Sequence, residues 1–346
     1  MQSLPDFKDE TVMMTFRRAT ILPLAVALTV TASLNLTGCS SMQDAVAASP
    51  TVSSVWGVGE MPIEDLNSLY ANEESQWMDV NGMRIHYRDE GNPNGQPIVL
   101  IHGILSSLHT WDDWNKSLAA DYRIISLDVP GFGLTGGPEN PDDFSEDLLH
   151  DSFAQFINQL QLENFILAGN SLGGYISAHY AANNPDNVKK LILIDPAGAP
   201  QDLPFILSLA SMPGINSLAA NVFPPFIVAM GVKDVYGDQE RITKANMDRY
   251  IHLSLRPGAK QAYANTIAML DEKNSKQQPL NFATITAPTL LMWGEKDIWV
   301  PPELSELWLA NISGSTLITY PDAGHVPMEE IPEKTLQDAL DFIDLK

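Results

Sequence analysis

Short apolar runs alternate along most of this chain with stretches of helical period. Met78-Asp79-Val80 and Met83-Arg84-Ile85-His86-Tyr87 alternate apolar and polar positions on either side of Asn81-Gly82, which predicts a hairpin. Ile98-Val99-Leu100-Ile101 is a continuous apolar run, as expected of a strand buried on both faces. Residues 108–119 read as a helix, 123–127 as a strand, and 147–160 as a helix presenting Leu149, Phe153, Phe156, Ile157 and Leu160 on one face. Residues 164–168 form another strand pattern, 175–182 a helix and 191–194 a strand. Buried strands separated by helices predict an α/β fold with a mostly parallel sheet flanked by helices. The alternation stops at about residue 199 and returns with strands at 289–293 and 316–320, followed by a closing helix. The expected layout is a core of residues 77–198 and 284–346, with 199–283 inserted as a helical cap.

The chemistry concentrates in Gly169-Asn170-Ser171-Leu172-Gly173-Gly174, between the strand at 164–168 and the following helix. Small residues at 169, 173 and 174 permit a sharp turn, and a serine at its apex is thrust out at the strand end. Ser171 is therefore the candidate nucleophile. A serine hydroxyl needs a base, and that base needs an orienting group. Of the seven histidines, His86, His102, His109, His150, His179 and His252 fall in strand, loop-start or helix patterns and read as structural or solvated. His325 sits on a loop after the last strand, between Gly324 and Pro327, and is the candidate base. Asp297 follows a strand with Gly294 freeing the turn, and is the candidate acid; Asp195, which also ends a strand, is its rival. An oxyanion would take backbone N–H donors from Leu172 and from Ile104, the latter in the loop after the first buried strand.

Five motifs occur in order: His102-Gly103, Asp128-Val129-Pro130-Gly131-Phe132-Gly133, the serine turn, Gly294-Glu295-Lys296-Asp297 and Gly324-His325-Val326-Pro327. Together they make residues 77–346 resemble the α/β-hydrolase superfamily. Within it, Asn170-Ser171-Leu172-Gly173-Gly174-Tyr175 and Ser107-Leu108-His109-Thr110-Trp111 are most similar to bacterial lipases and esterases. The resemblance implies an α/β-hydrolase fold and a carboxylic ester hydrolase using Ser171, His325 and Asp297 through an acyl-enzyme; the sequence shows no metal cluster, phosphate loop or nucleotide motif, so no cofactor and no metal are expected. A carbon–carbon bond hydrolase of ring-cleavage products shares that set, although such enzymes commonly carry Trp where this chain has Val326. A non-catalytic surface binding module on the same fold is a further alternative. Ser171 disfavours epoxide hydrolases and haloalkane dehalogenases, which need Asp at that turn.

Composition adds two points. The 346 residues include 43 acidic and 20 basic side chains, a net charge of −23, which argues against nucleic acid as a partner. Cys39 is the one cysteine, so an intrachain disulfide is excluded. It ends Leu36-Thr37-Gly38-Cys39, after Arg17-Arg18 and an uncharged apolar run at 19–34; Met13 or Met14 would make a more usual start than Met1. This arrangement resembles the signal and lipobox of bacterial lipoproteins. It implies a signal peptide over 1–38, lipidation of Cys39, a tether over 39–76, and anchoring in the cell envelope, with Ser40-Ser41 resembling outer-membrane sorting in Gram-negative bacteria. The cap is dense in apolar residues between 203 and 230, which fits either packing on the core or a pocket for an acyl-ester or lipid substrate. On the pocket reading, Phe223, Phe226 and Met230 line it.

Overall fold

A computed structural model describes residues 59–202, 224–276 and 280–345. The expected signal segment, Cys39 and Phe223 lie outside these residues. Helix α1 (Ile63–Tyr70) precedes an antiparallel pair, β1 (Ser75–Val80) and β2 (Met83–Gly91). Asn81 and Gly82 connect the pair with φ of 52° and 76°, the left-handed values that this two-residue turn requires. There follow β3 (Gln96–Ile101), α2 (Asp112–Leu118), β4 (Tyr122–Leu127), α3 (Glu146–Leu160), β5 (Phe165–Asn170), α4 (Leu172–Asn183) and β6 (Val188–Ile194). Helices α5 (Pro225–Val235), α6 (Lys244–Ser254) and α7 (Ala259–Ser275) stand between β6 and β7 (Thr289–Gly294). The chain closes with α8 (Ser305–Asn311), β8 (Thr316–Tyr320), a single turn α9 (Pro327–Glu330) and α10 (Pro332–Asp344).

The sheet order is β1-β2-β4-β3-β5-β6-β7-β8. The β1–β2 and β2–β4 pairs are antiparallel and the remaining pairs parallel. Every residue of β5 and of β7 is buried, the signature of central strands covered on both faces. Parallel strands align their carboxyl ends, so the loops after β3, β5, β6, β7 and β8 gather at one edge of the sheet, where such folds place their ligands. All of the candidate catalytic residues lie in those loops.

Two expectations need correction. Order begins earlier than Trp77. Leu66 of α1 is fully buried against Leu134 and Leu253, Met61 N–H donates to Leu255 O, and Arg88 donates to Tyr70 O. The last part of the expected tether is thus folded; a two-turn helix with one deeply buried position gives too little periodicity to read. Residues 108–119 are also not one helix. A 3₁₀ turn (Leu108–Trp111) precedes α2, because Asp128 Oδ1 accepts the Leu108 N–H and holds the turn against the β4 loop. Trp111 and Trp114 are buried edge to face, 5.3 Å between centroids, and act in packing.

Candidate active site

Ser171 stands at the step from β5 into α4 with φ 54° and ψ −119°, a backbone conformation that costs a non-glycine residue of order 1–3 kcal/mol. Three backbone bonds over-determine it. Ser171 N–H donates to Ile194 O, while its carbonyl accepts from Tyr175 and Ala197 N–H, each at 3.0 Å. The motif's glycines make the close approach possible. A Cβ on Gly173 would lie 2.3 Å from Ile101 O, and one on Gly103 would lie 2.9 Å from Ser171 Cβ. The β3 loop therefore passes directly over the serine.

His325 Nδ1 and Asp297 Oδ2 are 2.6 Å apart. The other carboxylate oxygen of Asp297 accepts the N–H groups of Trp299 (2.7 Å) and Val300 (3.0 Å), so the acid is held at both oxygens. With Nδ1–H directed at the carboxylate, Nε2 is left to take up a proton. His325 is itself fixed by its backbone: its N–H donates to Val235 O on α5, and its carbonyl accepts Asn170 Nδ2 at 2.9 Å. Asn170, directly before Ser171, thus ties the serine turn to the histidine loop. Ser171, Asp297 and His325 are each under 5% exposed. The rival acid, Asp195, is not the hydrogen-bonding partner of His325; its Oδ1 accepts Gly294 N–H instead. Asp195, Asp297 and His325 also form the group, among the described residues, whose donor atoms could converge on a cation, all within 4.8 Å. Asp297, however, already spends both oxygens on protein donors.

Leu172 opens α4, where the first N–H groups have no intrahelical partner. Ile104 lies in the β3 loop and borders the same cleft as Asn170 and His325. His102 shapes that loop: Nδ1 donates to Gly103 O at 2.7 Å and Nε2 accepts Val129 N–H at 3.0 Å. Burial holds its pKa below the ordinary histidine value, which keeps it neutral. The motif at 128–133 is likewise architectural. Asp128 accepts from His86 and from the backbone of Leu108 and Leu134; burial pushes its pKa up, but the bond and charge of His86 outweigh it and hold the carboxyl well below the carboxylate range.

Over the serine end of the sheet lies a cleft walled by Ile227, Val228, Val232 and Val235 of α5 and floored by Ile104 and His325. Phe226 and Met230, expected to line it, do not: they are 58% and 49% exposed. The helix pitch explains the correction, since positions 228, 232 and 235 share the inward face and 226 and 230 lie outside it.

Sequence reasoning missed the residues that fasten the cap. Glu329 and Glu330, on the turn after His325, are buried acceptors. Glu330 takes N–H groups from Gly237, Asp238 and Gly324. Glu329 takes Thr110 Oγ1, Tyr236 OH, Asn246 Nδ2, Arg249 Nη2 and Tyr250 OH. Adjacent acids on a one-turn helix look solvent-exposed in sequence; the signal was their position four and five residues after the candidate base.

Residues 96–332 match the family described as alpha/beta hydrolase fold. Lipase 3 of a Moraxella species is 27% identical over 330 residues, covering 90% of this chain and 95% of that protein. Lipase 1 of Psychrobacter immobilis is 27% identical over 316 residues, covering 88% and 92%. The crystal structure of a membrane phospholipase A, described as a bacterial virulence factor, superposes with TM-score 0.65 at 25% identity, covering 81% of this chain and 91% of that one. With the eight-stranded sheet, the strained serine turn and a family match over most of its length, this chain belongs to the α/β-hydrolase fold family.

Proposed function

We propose that this protein is a serine hydrolase of carboxylic esters that works through an acyl-enzyme on Ser171. His325 Nε2 takes the serine proton as the hydroxyl attacks the acyl carbon, and Asp297 orients the imidazole and stabilises its positive charge. The N–H groups of Leu172 and Ile104 receive the oxyanion, and loss of one such donor typically costs ~10²–10³ in rate. His325 then returns the proton to the leaving alcohol, and water, activated in the same way, releases the acid. The observation that carries this reading is the buried 2.6 Å contact between His325 and Asp297, tied through Asn170 to the strained serine turn.

The aliphatic wall of α5 suits an acyl chain. Each buried methylene is worth about 0.8 kcal/mol, roughly fourfold in kcat/KM, so medium acyl groups should be preferred to acetyl. Rates over p-nitrophenyl esters of increasing chain length, alongside a ring-cleavage dienoate, test the reading. Turnover rising with chain length and none of the dienoate supports it; dienoate cleavage without esterase activity overturns it in favour of carbon–carbon bond hydrolysis. We also propose that Cys39 carries lipid and holds the enzyme in the bacterial envelope, on the strength of Leu36-Thr37-Gly38-Cys39 behind the apolar segment. Mass spectrometry showing an unmodified Cys39 on the mature chain refutes this.

A further inference from the structure

Asp195 ends β6 beside the pair formed by Asp297 and His325, and it is built unlike an ordinary buried acid. Its φ is 44°, a left-handed conformation that costs a non-glycine residue and persists only where the surroundings enforce it. The enforcing contact is its own N–H donating to Met292 O at 2.9 Å. The side chain is wholly buried. Oδ1 accepts Gly294 N–H at 2.9 Å, and the carboxyl also shares a hydrogen bond with the Asp297 side chain, which only a protonated carboxyl can donate. A carboxylate oxygen of Asp195, one of Asp297 and a ring nitrogen of His325 all lie within 4.8 Å of one another. A strained backbone, a hydrogen bond between two carboxyls and closeness to the base therefore coincide at one residue.

We propose that Asp195 is a reserve acid for His325: neutral while Asp297 is ionised, it becomes the histidine's carboxylate partner when position 297 carries no charge. This rests on the assignment of Ser171, His325 and Asp297 above. Two carboxylates this close and this dry do not both ionise cheaply. Burial, reinforced by the charge of Asp297, raises the pKa of Asp195 well above the ordinary carboxylate value. The titratable groups facing it are Asp297 after β7, His325 and Tyr320 at the end of β8, and Glu330 on α9. With Asn at 297, the like charge is gone. Burial still favours the neutral acid, so Asp195 releases its proton to solvent only as His325 takes the serine proton, when the imidazolium beside it stabilises the carboxylate. Asp195 is a positioning residue, since it acts through His325.

Its bond to Gly294 is the structural alternative, and Asp195→Asn separates the two because asparagine keeps an Oδ1 acceptor and loses only the ability to ionise. The experiment compares wild type, Asp297→Asn and Asp297→Asn/Asp195→Asn on a soluble short-chain ester across pH, with melting temperatures to confirm folding. Loss of the orienting acid alone typically costs ~10⁴ in kcat. The proposal expects Asp297→Asn to lose only ~10²–10³, with the double variant at least about tenfold slower again at equal melting temperature. Asp297→Asn should also show an ionisation on its acid limb that the double variant lacks. Equal rates and equal pH profiles for the two variants overturn the reserve role. Wild-type turnover by Asp297→Asn overturns the acid assignment and the proposal with it.

Discussion

Removal of the Glu329 carboxylate is the perturbation that most severely tests how the cap is held. Its side chain is 5% exposed and meets Arg249, itself 10% exposed, at 2.6 Å. The same carboxylate accepts Thr110, Tyr236, Asn246 and Tyr250, so one group joins the turn after β3, two cap helices' worth of donors and the turn following His325. In Glu329→Ala the guanidinium is left buried without its counter-charge, and breaking such a pair typically costs about 3–5 kcal/mol. Adding a separate loss for every donor would overcount. Asn246 still reaches Tyr236 OH and Tyr250 still meets Ser106, so part of the network re-pairs. At roughly 2 °C per kcal/mol for a domain of this size, the melting temperature should fall by ~6–10 °C. Glu329→Leu combined with Arg249→Met should cost less than Glu329→Ala, because no unpaired charge remains. Thermal unfolding by circular dichroism measures both. A Glu329→Ala protein melting within about 2 °C of the parent, or a double variant less stable than the single, refutes the reasoning.

Acid should destabilise the fold well before carboxylates titrate. Burial and the neighbouring charge of Arg88 lower the His109 pKa to about 3, whereas in the unfolded chain it titrates near 6.5. The unfolded state therefore binds the extra proton between those values, and stability falls as pH drops through that window by up to about 1.4 kcal/mol per unit. Urea midpoints at pH 7 and pH 5 should differ accordingly, and His109→Asn should reduce the difference by one histidine's share, because burial also holds His102 and His179 below the ordinary value; an unchanged slope contradicts the assignment. Val232 faces the cleft from α5 and is 3% exposed, so Val232→Phe should occupy acyl space. It should lower kcat/KM for octanoyl esters by roughly tenfold or more while sparing acetate, as pocket methylenes are worth about 1–3 kcal/mol each in discrimination. Equal losses at both lengths would remove α5 from acyl recognition.

The central sheet was readable because both-face burial writes itself into sequence as apolar runs, as in Ile98-Val99-Leu100-Ile101 and in β7, where every residue is buried. A loop after a strand pointed to Asp297 as the partner of His325 but fitted Asp195 equally, so the 2.6 Å contact and not that pattern separates the two acids. The phase of α5 was not. Its first two turns, Pro225-Phe226-Ile227-Val228-Ala229-Met230-Gly231-Val232, are apolar on every side, and only Lys233 and Asp234 in the last turn mark the outward face that Phe226 and Met230 share. The large residues at 226 and 230 drew attention, yet smaller Val228 and Val232 are the ones that pack. Helix α1 was hidden for the opposite reason, since its one fully buried side chain, Leu66, leaves almost no pattern. Glu329 and Glu330 could not be distinguished from surface acids, because all but one of their donors among the described residues (Gly324) come from 79 to 219 positions away.

Labelling with a fluorophosphonate probe, followed by peptide mapping, addresses the assigned nucleophile directly. The probe phosphonylates only a serine activated by its base, so an adduct should form on Ser171 and abolish ester hydrolysis in proportion to its occupancy. Ser171→Ala should take up no probe while keeping the parent's melting temperature, because the residue contributes through its hydroxyl. An adduct on another residue, or full esterase activity in Ser171→Ala, would contradict the account.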